Sequence, residues 1–457
     1  MDEDIVKRFK KLVDPSDYGD IRLAEHNKLS IRVENGSVNS VSKSLEKGFG
    51  IRIRKNGVWG FASSNKTDTD SLKNAVRHAY KLINVTKQRS ITNVEFKPEL
   101  NNSRRKPEWK KDPRDVDAAD KLRMILDAQK VVRDKRIVSN LSDYGESVSE
   151  WMVGSTENNF VSFFDSHPRL VISLFVKDDN TIQAVRNSLG GNRGFELFEQ
   201  DAVDGLVKKT EEEALRLFNA KPVVGGKYDV VLDPSMTGVY THEAFGHATE
   251  ADGIINGTSV LEGKLEKKVG NEIVNIVDDP TINGARGSFI FDQEGTTAKR
   301  RTLVENGVLK NYLTGLESAQ RLGLEPNGAA RAMDYSCPPI VRMSNTFIKP
   351  GTFSDDITED IKKGVAFYGF QYGYVDPGSG KFMFKAQYGR MIKNGKLGEY
   401  VRDAALTGFT LDVLNRIDAI GKNFALDDGT CGKERQWVPV TSGGPNIRIR
   451  SVVVGGQ

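Results

Sequence analysis

Between Asp20 and Ser64 apolar and polar residues alternate, and the alternation is cut at Asn35-Gly36 and Asn56-Gly57. A period of two interrupted by Asn-Gly steps predicts an antiparallel meander of hairpins, with Gly48 and Gly50 punctuating its middle strand. Ahead of it, Ile5, Phe9 and Leu12 fall on one stripe of a short amphipathic helix. Asp68 or Thr69 caps a helix running through Ala75, Ala79 and Leu82 to about Val85. A further helix is predicted over Asp115–Asp134, with Ala118, Leu122, Ile125, Leu126 and Val131 on its apolar side. Strand-like alternation returns from Ile137 to about Leu189, followed by a helix over Glu199–Asn219. Meander plus helix thus occurs twice before residue 222, the pattern of an internal duplication.

Pro222 and Gly225-Gly226 mark a linker, so the chain is expected to divide into residues 1–222 and 223–457. Tyr228–Leu232 reads as a buried strand, and Asp233-Pro234 as the start of a helix, with Asp as N-cap and Pro at its first position. Beyond this helix strands and turns dominate, with hairpins at Asn306-Gly307 and Asn394-Gly395. Short helices are expected only over Leu316–Leu322, Thr358–Lys363 and Gly408–Ile420. The fold class is α+β: an N-terminal domain of antiparallel meanders with helices, then a mainly antiparallel β domain that carries the Asp233 helix.

Length agrees with two domains, because 457 residues exceed one ordinary core. A net charge of +4 from 66 basic and 62 acidic residues is near balance and argues against direct nucleic-acid or membrane-surface binding. No apolar run is long enough to span a membrane. The N-terminus is acidic and then basic without an apolar core, unlike a secretory signal. Two cysteines, Cys337 and Cys431, cannot build a disulfide framework, so the expected compartment is the cytoplasm. Ser103–Arg114 clusters five cations around Trp109. Its flanking Asn-Asn and two prolines make it a solvated connector, from Glu95 to Arg114, before a phosphate site.

Two of the five histidines, His242 and His247, bracket Glu243 on the Asp233 helix. Imidazoles that hold a metal beside a carboxylate that takes a proton from water are the components of a zinc hydrolase. The spacing is i, i+5, roughly 140° apart on a regular helix. One ion can take both only if the helix bulges or breaks at Ala244–Gly246, where Gly246 would permit either. Three candidates remain for a third ligand. Glu250 follows His247 by three residues; Cys431 sits among Gly429, Thr430, Gly432 and Lys433, read as a turn with a cation nearby; Cys337 precedes two prolines. A structural zinc site would need a fourth ligand.

HEAFGHATEAD and LDDGTCGKERQWVPV resemble the metal-site and C-terminal segments of the TldD/PmbA family of zinc-dependent peptidases, although Arg435 stands where the family has glycine. NGVWGFASS and several later stretches also resemble that family, in its order. The resemblance implies Zn2+ held by His242, His247 and Cys431, with Glu243 as general base; Glu250 and Asp252 are candidates for orienting a histidine, or a plain acidic pair at a helix end. It further implies short or unfolded peptides as substrate, and a dimer with a PmbA-like subunit lacking the metal motif or with a second copy. A non-catalytic regulator of DNA gyrase is the alternative that the family's older label offers, but such a protein has no use for Glu243 between two ligands.

Overall fold

The computed structural model describes residues 3–86, 99–106, 108–178, 181–354 and 356–456. The N-terminal half contains α1 (Asp4–Leu12), β1 (Tyr18–Glu34), β2 (Ser37–Lys55), β3 (Val58–Ser64), α2 (Thr69–Val85) and β4 (Asn102–Arg104). It continues with α3 (Ala118–Val131), β5 (Ile137–Ser155), β6 (Phe160–Ser166), β7 (Arg169–Lys177), β8 (Ile182–Gly190) and α4 (Gln200–Arg216). All eight strands join one sheet, in which the two long strands β1 and β5 lie antiparallel at the centre. Both predicted meanders therefore belong to a single sheet.

The period of two along β1 and β5 gives this sheet two unlike faces. Ile21, Leu23, Leu29, Ile31 and Val33 of β1 point to the helices, packing with α1 and α2 at one end and α3 and α4 at the other. The alternate residues Asp20, Arg22, Ala24 and His26 pair across with Ser155, Val153, Trp151 and Ser149 of β5. That second face turns to the C-terminal half, where Phe291 joins Ala24, Trp151, Val153, Val161 and Phe163 in a small shared core.

The C-terminal half opens with β9 (Lys221–Pro222), β10 (Gly226–Leu232) and α5 (Pro234–Val239), and after the site described below resumes as α6 (Ala251–Ile255). There follow β11 (Ile276–Asp278), β12 (Arg301–Glu305), β13 (Val308–Leu309), α7 (Leu316–Leu322), β14 (Ala330–Arg331), β15 (Ile340–Val341) and β16 (Asn345–Ile348). Next are β17 (Lys363–Asp376), β18 (Lys381–Lys393), β19 (Lys396–Arg402), β20 (Ala405–Phe409) and α8 (Thr410–Asn415). The chain ends with β21 (Ile417–Ile420), β22 (Ala425–Lys433), β23 (Gln436–Gly444) and β24 (Ile447–Gly455). One sheet closes on itself through β17, β10, β24, β20 and β18, because β18 also pairs with β17. A second sheet runs β13-β12-β11-β16-β23-β22. The fold is α+β, with mainly antiparallel sheets and few helices after residue 222.

Some expected elements differ. Thr358–Lys363 is a turn leading into β17, and Gly408–Ile420 is split between the end of β20, α8 and β21. The helix over Asp115–Asp134 is shorter, because Pro113–Asp115 forms a separate turn of 3-10 helix. The connector's beginning, Glu95–Pro98, and Pro107 lie outside the described residues, whereas Asn102–Arg104 pairs in parallel with β6. Gly48 and Gly50 do not punctuate β2, which runs unbroken through both. A Cβ at Gly50 would lie 2.0 Å from the Tyr335 carbonyl oxygen, so glycine there lets the C-terminal half approach the strand. Among the described residues no helix is long and apolar enough to cross a membrane.

A buried ion network also joins the halves. Asp20 pairs with Arg22 at 2.7 Å and with Arg52 at 2.7 Å, and Arg52 reaches Glu294 of the C-terminal half at 2.9 Å. Glu294 in turn accepts from the Leu316 amide at 2.7 Å, at the start of α7. Removing one partner of a buried pair leaves an uncompensated charge. Asp20→Asn is therefore expected to destabilise the protein by about 3–5 kcal/mol, read as a lowered denaturant midpoint. Asp143→Asn breaks the exposed Arg32 pair instead, and is expected to cost less than about 1 kcal/mol. Equal midpoints for the two variants would refute this assignment.

Candidate metal centre

Asp233 caps α5 by accepting from the Met236 amide at 2.8 Å, and its other oxygen accepts from Gly369 of β17 at 3.1 Å. The helix start is thereby tied to the closed sheet. From Tyr240 to Gly246 the helix widens into a π-helical turn, in which the His247 amide donates to the His242 carbonyl five residues back. One extra residue in the turn brings positions five apart onto a common face. Gly246 itself has φ −59, an ordinary helical value. Its lack of a side chain serves packing: a Cβ there would lie 2.0 Å from the Met343 sulfur. Thr410 of α8 donates to the Ala244 carbonyl at 2.9 Å, satisfying one acceptor of the widened turn.

The ligand atoms of His242, His247 and Cys431 all lie within 4.8 Å of one another, the one such metal-capable group among the described residues. Cys431 Sγ is 3.3 Å from His247 Nε2. That is close to the separation left by bonds of about 2.0 and about 2.3 Å to one tetrahedral zinc. Neither nitrogen of His242 has a hydrogen-bond partner, although the residue is only 4% exposed. An orphaned, buried imidazole beside a thiol and a second imidazole is a donor set that fits a metal ion.

Cys431 does not lie in a turn, as its neighbours in sequence imply. It is on β22, buried against Val438 and Val440 of a hairpin with β23. Burial would raise its thiol pKa, but the charge of His242 and the bond to His247 outweigh burial and bring it down to about 4. Lys433 is not the cause. Its ammonium lies 2.6 Å from Asp252 and 3.0 Å from Glu250.

Glu250 is not on the thiol's side of His247. It sits behind the ring, 3.0 Å from Nδ1, which leaves Nε2 turned to Cys431. Such a carboxylate fixes the tautomer of a ligating histidine. Burial pushes the Glu250 carboxyl up, but His247 and Lys433 together hold it at about 2. Burial likewise opposes charge on His247, yet Glu250 and Cys431 keep its pKa well above the usual value. Cys337 is not part of the group and hydrogen-bonds to Asp334.

Glu243, beside His242, has a half-exposed carboxylate with one oxygen 3.6 Å from His247 Nε2. It and His242 line a cavity of about 610 Å³ whose walls come from both halves, including Arg169, Arg186, Phe370 and Asp428. Two further residues support the site without a recognisable spacing in sequence. Fully buried Arg342 donates to the carbonyls of Cys431 at 2.5 Å and Gln436 at 3.2 Å, bracing the cysteine hairpin, and Met343 fills the space beside Gly246.

The chain matches three consecutive family models: PmbA/TldA metallopeptidase domain 1 at residues 19–83, the central domain at 111–218 and the C-terminal domain at 225–456. A metalloprotease of Methanothermobacter thermautotrophicus is 40% identical over 446 residues, covering 97% of this chain and 96% of that protein. A zinc metalloprotease TldD homolog of Saccharolobus solfataricus is 28% identical, covering 91% of each chain. Among solved structures, TldE from Thermococcus kodakarensis superposes with a TM-score of 0.80 at 19% identity, covering 99% of each chain. A Thermotoga maritima protein described as a candidate modulator of a DNA gyrase superposes at 0.81 and 21% identity, covering 99% of this chain and all of that one. With its whole length matched in this way, the chain belongs to the PmbA/TldA metallopeptidase family and is a peptide-bond hydrolase.

Proposed function

We propose that the chain is a zinc-dependent peptidase for short or unfolded peptides, with His242, His247 and Cys431 as ligands and Glu243 as general base. His242 carries the reading. Each unpartnered nitrogen of a buried imidazole costs about 1–3 kcal/mol, and a metal ion at the triad would take one of the two. Two imidazoles and a thiolate are suited to zinc, and three protein ligands leave a position for chemistry. Zinc held there supplies Lewis acidity toward a carbonyl and a water.

The chain's own groups do the rest. Glu250 holds His247 in the tautomer that presents Nε2. Glu243, on the cavity wall, takes the proton from water and returns it to the leaving amine. We read residues 1–222 and 223–457 as two domains that share this cavity. The active form is read as a cytoplasmic dimer, either with a PmbA-like subunit or with a second copy, in keeping with the TldE-like fold. A purely regulatory protein would not require an unpartnered His242 beside Glu243.

Three variants test these roles at matched protein concentration, with zinc measured by elemental analysis. Cys431→Ala is expected to lose stoichiometric zinc, because two imidazoles alone hold it weakly; zinc retained in full would remove Cys431 from the ligand set. Glu243→Gln is expected to keep zinc and fold while peptide hydrolysis falls by about 10²–10⁴. Hydrolysis equal to wild type would remove Glu243 from the mechanism. Glu250→Gln is expected to bind zinc about 10–100-fold more weakly, measured by chelator competition, and unchanged affinity would leave Glu250 without an orienting role.

A further inference from the structure

A second cavity of about 550 Å³ lies where the polar face of β1 and β5 meets β14 and β23. Arg169 and Arg186 line both this cavity and the first, so the two adjoin at these side chains. Its cations fall into two groups. Lys28, Arg32 and Arg169 are paired with Glu46, Asp143 and Asp428 at 2.5, 2.6 and 2.5 Å. Arg186, Arg286 and Arg331 have no ion-pair partner among the described residues.

These three arginines also keep donors in hand. Arg286 uses Nε on the Gly429 carbonyl at 3.2 Å and one terminal nitrogen on the His167 carbonyl at 3.1 Å. Arg331, 5% exposed, uses one on the Met343 carbonyl at 2.9 Å. The Arg186 guanidinium makes no hydrogen bond among the described residues, since its only bonds are through the backbone to Gln387. Burial first, and then neighbouring guanidiniums, bring Arg286 and Arg331 down to about 10. Two buried carboxyls share the wall: Glu146, which is taken up by Lys121 at 2.7 Å, and Asp165, which burial raises to about 7 despite Arg331. Local countercharge is therefore short.

His26 also belongs to the wall of this cavity. It is 2% exposed, its Nδ1 is 2.7 Å from the Ser149 hydroxyl, and its Nε2 has no partner. Nε2 is itself shut off from solvent, so the ring packs within the cavity wall and offers the cavity no donor. Unpaired guanidiniums match a carboxylate, which accepts a fork of two N–H bonds.

Resting on the peptidase reading above, we propose that this cavity is a subsite for a carboxylate of the peptide substrate, with Arg186, Arg286 and Arg331 as its donors. The carboxylate is either the peptide's C-terminus or an Asp or Glu side chain. A peptide whose scissile bond lies by Glu243 reaches the subsite past Arg169 and Arg186.

The test uses one neutral peptide sequence in three forms: C-terminal amide, free C-terminal carboxylate, and amide with a single Glu stepped along the chain. The readout is kcat/KM for each form relative to the neutral amide, for the full-length protein and for Arg186→Gln and Arg186→Lys. Wild type is expected to favour one carboxylate form by about tenfold or more, and which form identifies the source. Arg186→Gln is expected to bring that ratio toward one, Arg186→Lys to keep part of it, and added salt to reduce it. A wild-type ratio near one, or a ratio unchanged in Arg186→Gln, overturns the subsite. Binding of the same peptides to the full-length proteins by calorimetry separates the two readings. Carboxylate-dependent binding weakened by Arg186→Gln, without hydrolysis of any peptide by the protein alone or together with a PmbA-like subunit, would sink the peptidase reading and keep the anion site. Neither hydrolysis nor such binding would sink both.

Discussion

The hydrogen bond from the His247 amide to the His242 carbonyl spans one residue more than an α-helical bond, and the candidate metal centre depends on that difference. In a regular helix the two imidazoles diverge and could not share an ion. The widened turn is held at several points. Asp233 fixes the helix start to β17, Thr410 satisfies the Ala244 carbonyl, and Met343 occupies the space that a side chain at position 246 would take. An irregular turn of this kind is kept where its surroundings fit it. Here those surroundings come from three separate parts of the C-terminal half.

The thiol arrives by a different route. Cys431 is brought to the histidines by an edge hairpin, and Arg342 braces that hairpin from a fully buried position. Lys433, two residues on, reaches across to Glu250 and Asp252. One ammonium thus links the cysteine strand to the carboxylate behind His247. Helix and strand are coupled through an acid–base network on the side of His247 away from the cavity, which leaves the cavity side to Glu243.

The local part of this arrangement was legible in the sequence. The His-Glu-His spacing called for an irregular helix, Asn-Gly steps marked the hairpins, and Leu316–Leu322 forms over its predicted span. What escaped depends on contacts distant along the chain. Flanking glycines made Cys431 read as part of a turn, but it lies on a strand buried against Val438 and Val440 opposite. Gly48 and Gly50 looked like breaks because only the folded chain brings Tyr335 against them. Thr358–Lys363 and Gly408–Ile420 have helix-compatible composition, yet pairing of the adjoining strands prevails there, as tertiary context commonly overrides propensity. Arg342 carried no signal at all, since an isolated arginine looks the same buried or exposed.

The two-faced strand β1 has a bearing on how this protein can change through descent. Ile21, Leu23, Leu29, Ile31 and Val33 fill the helix-covered core, while His26, Lys28, Ser30 and Arg32 form the polar wall toward the other half. Inserting or deleting one residue there would exchange the two sets along the rest of the strand. Length variation, which surface loops absorb readily, is closed to this element. Diversity in the wall must then accumulate by replacement at every second site of β1, and at the facing sites of β5, while the intervening residues stay apolar. A lineage adapting to a new diet of peptides would carry that alternating record in its genes.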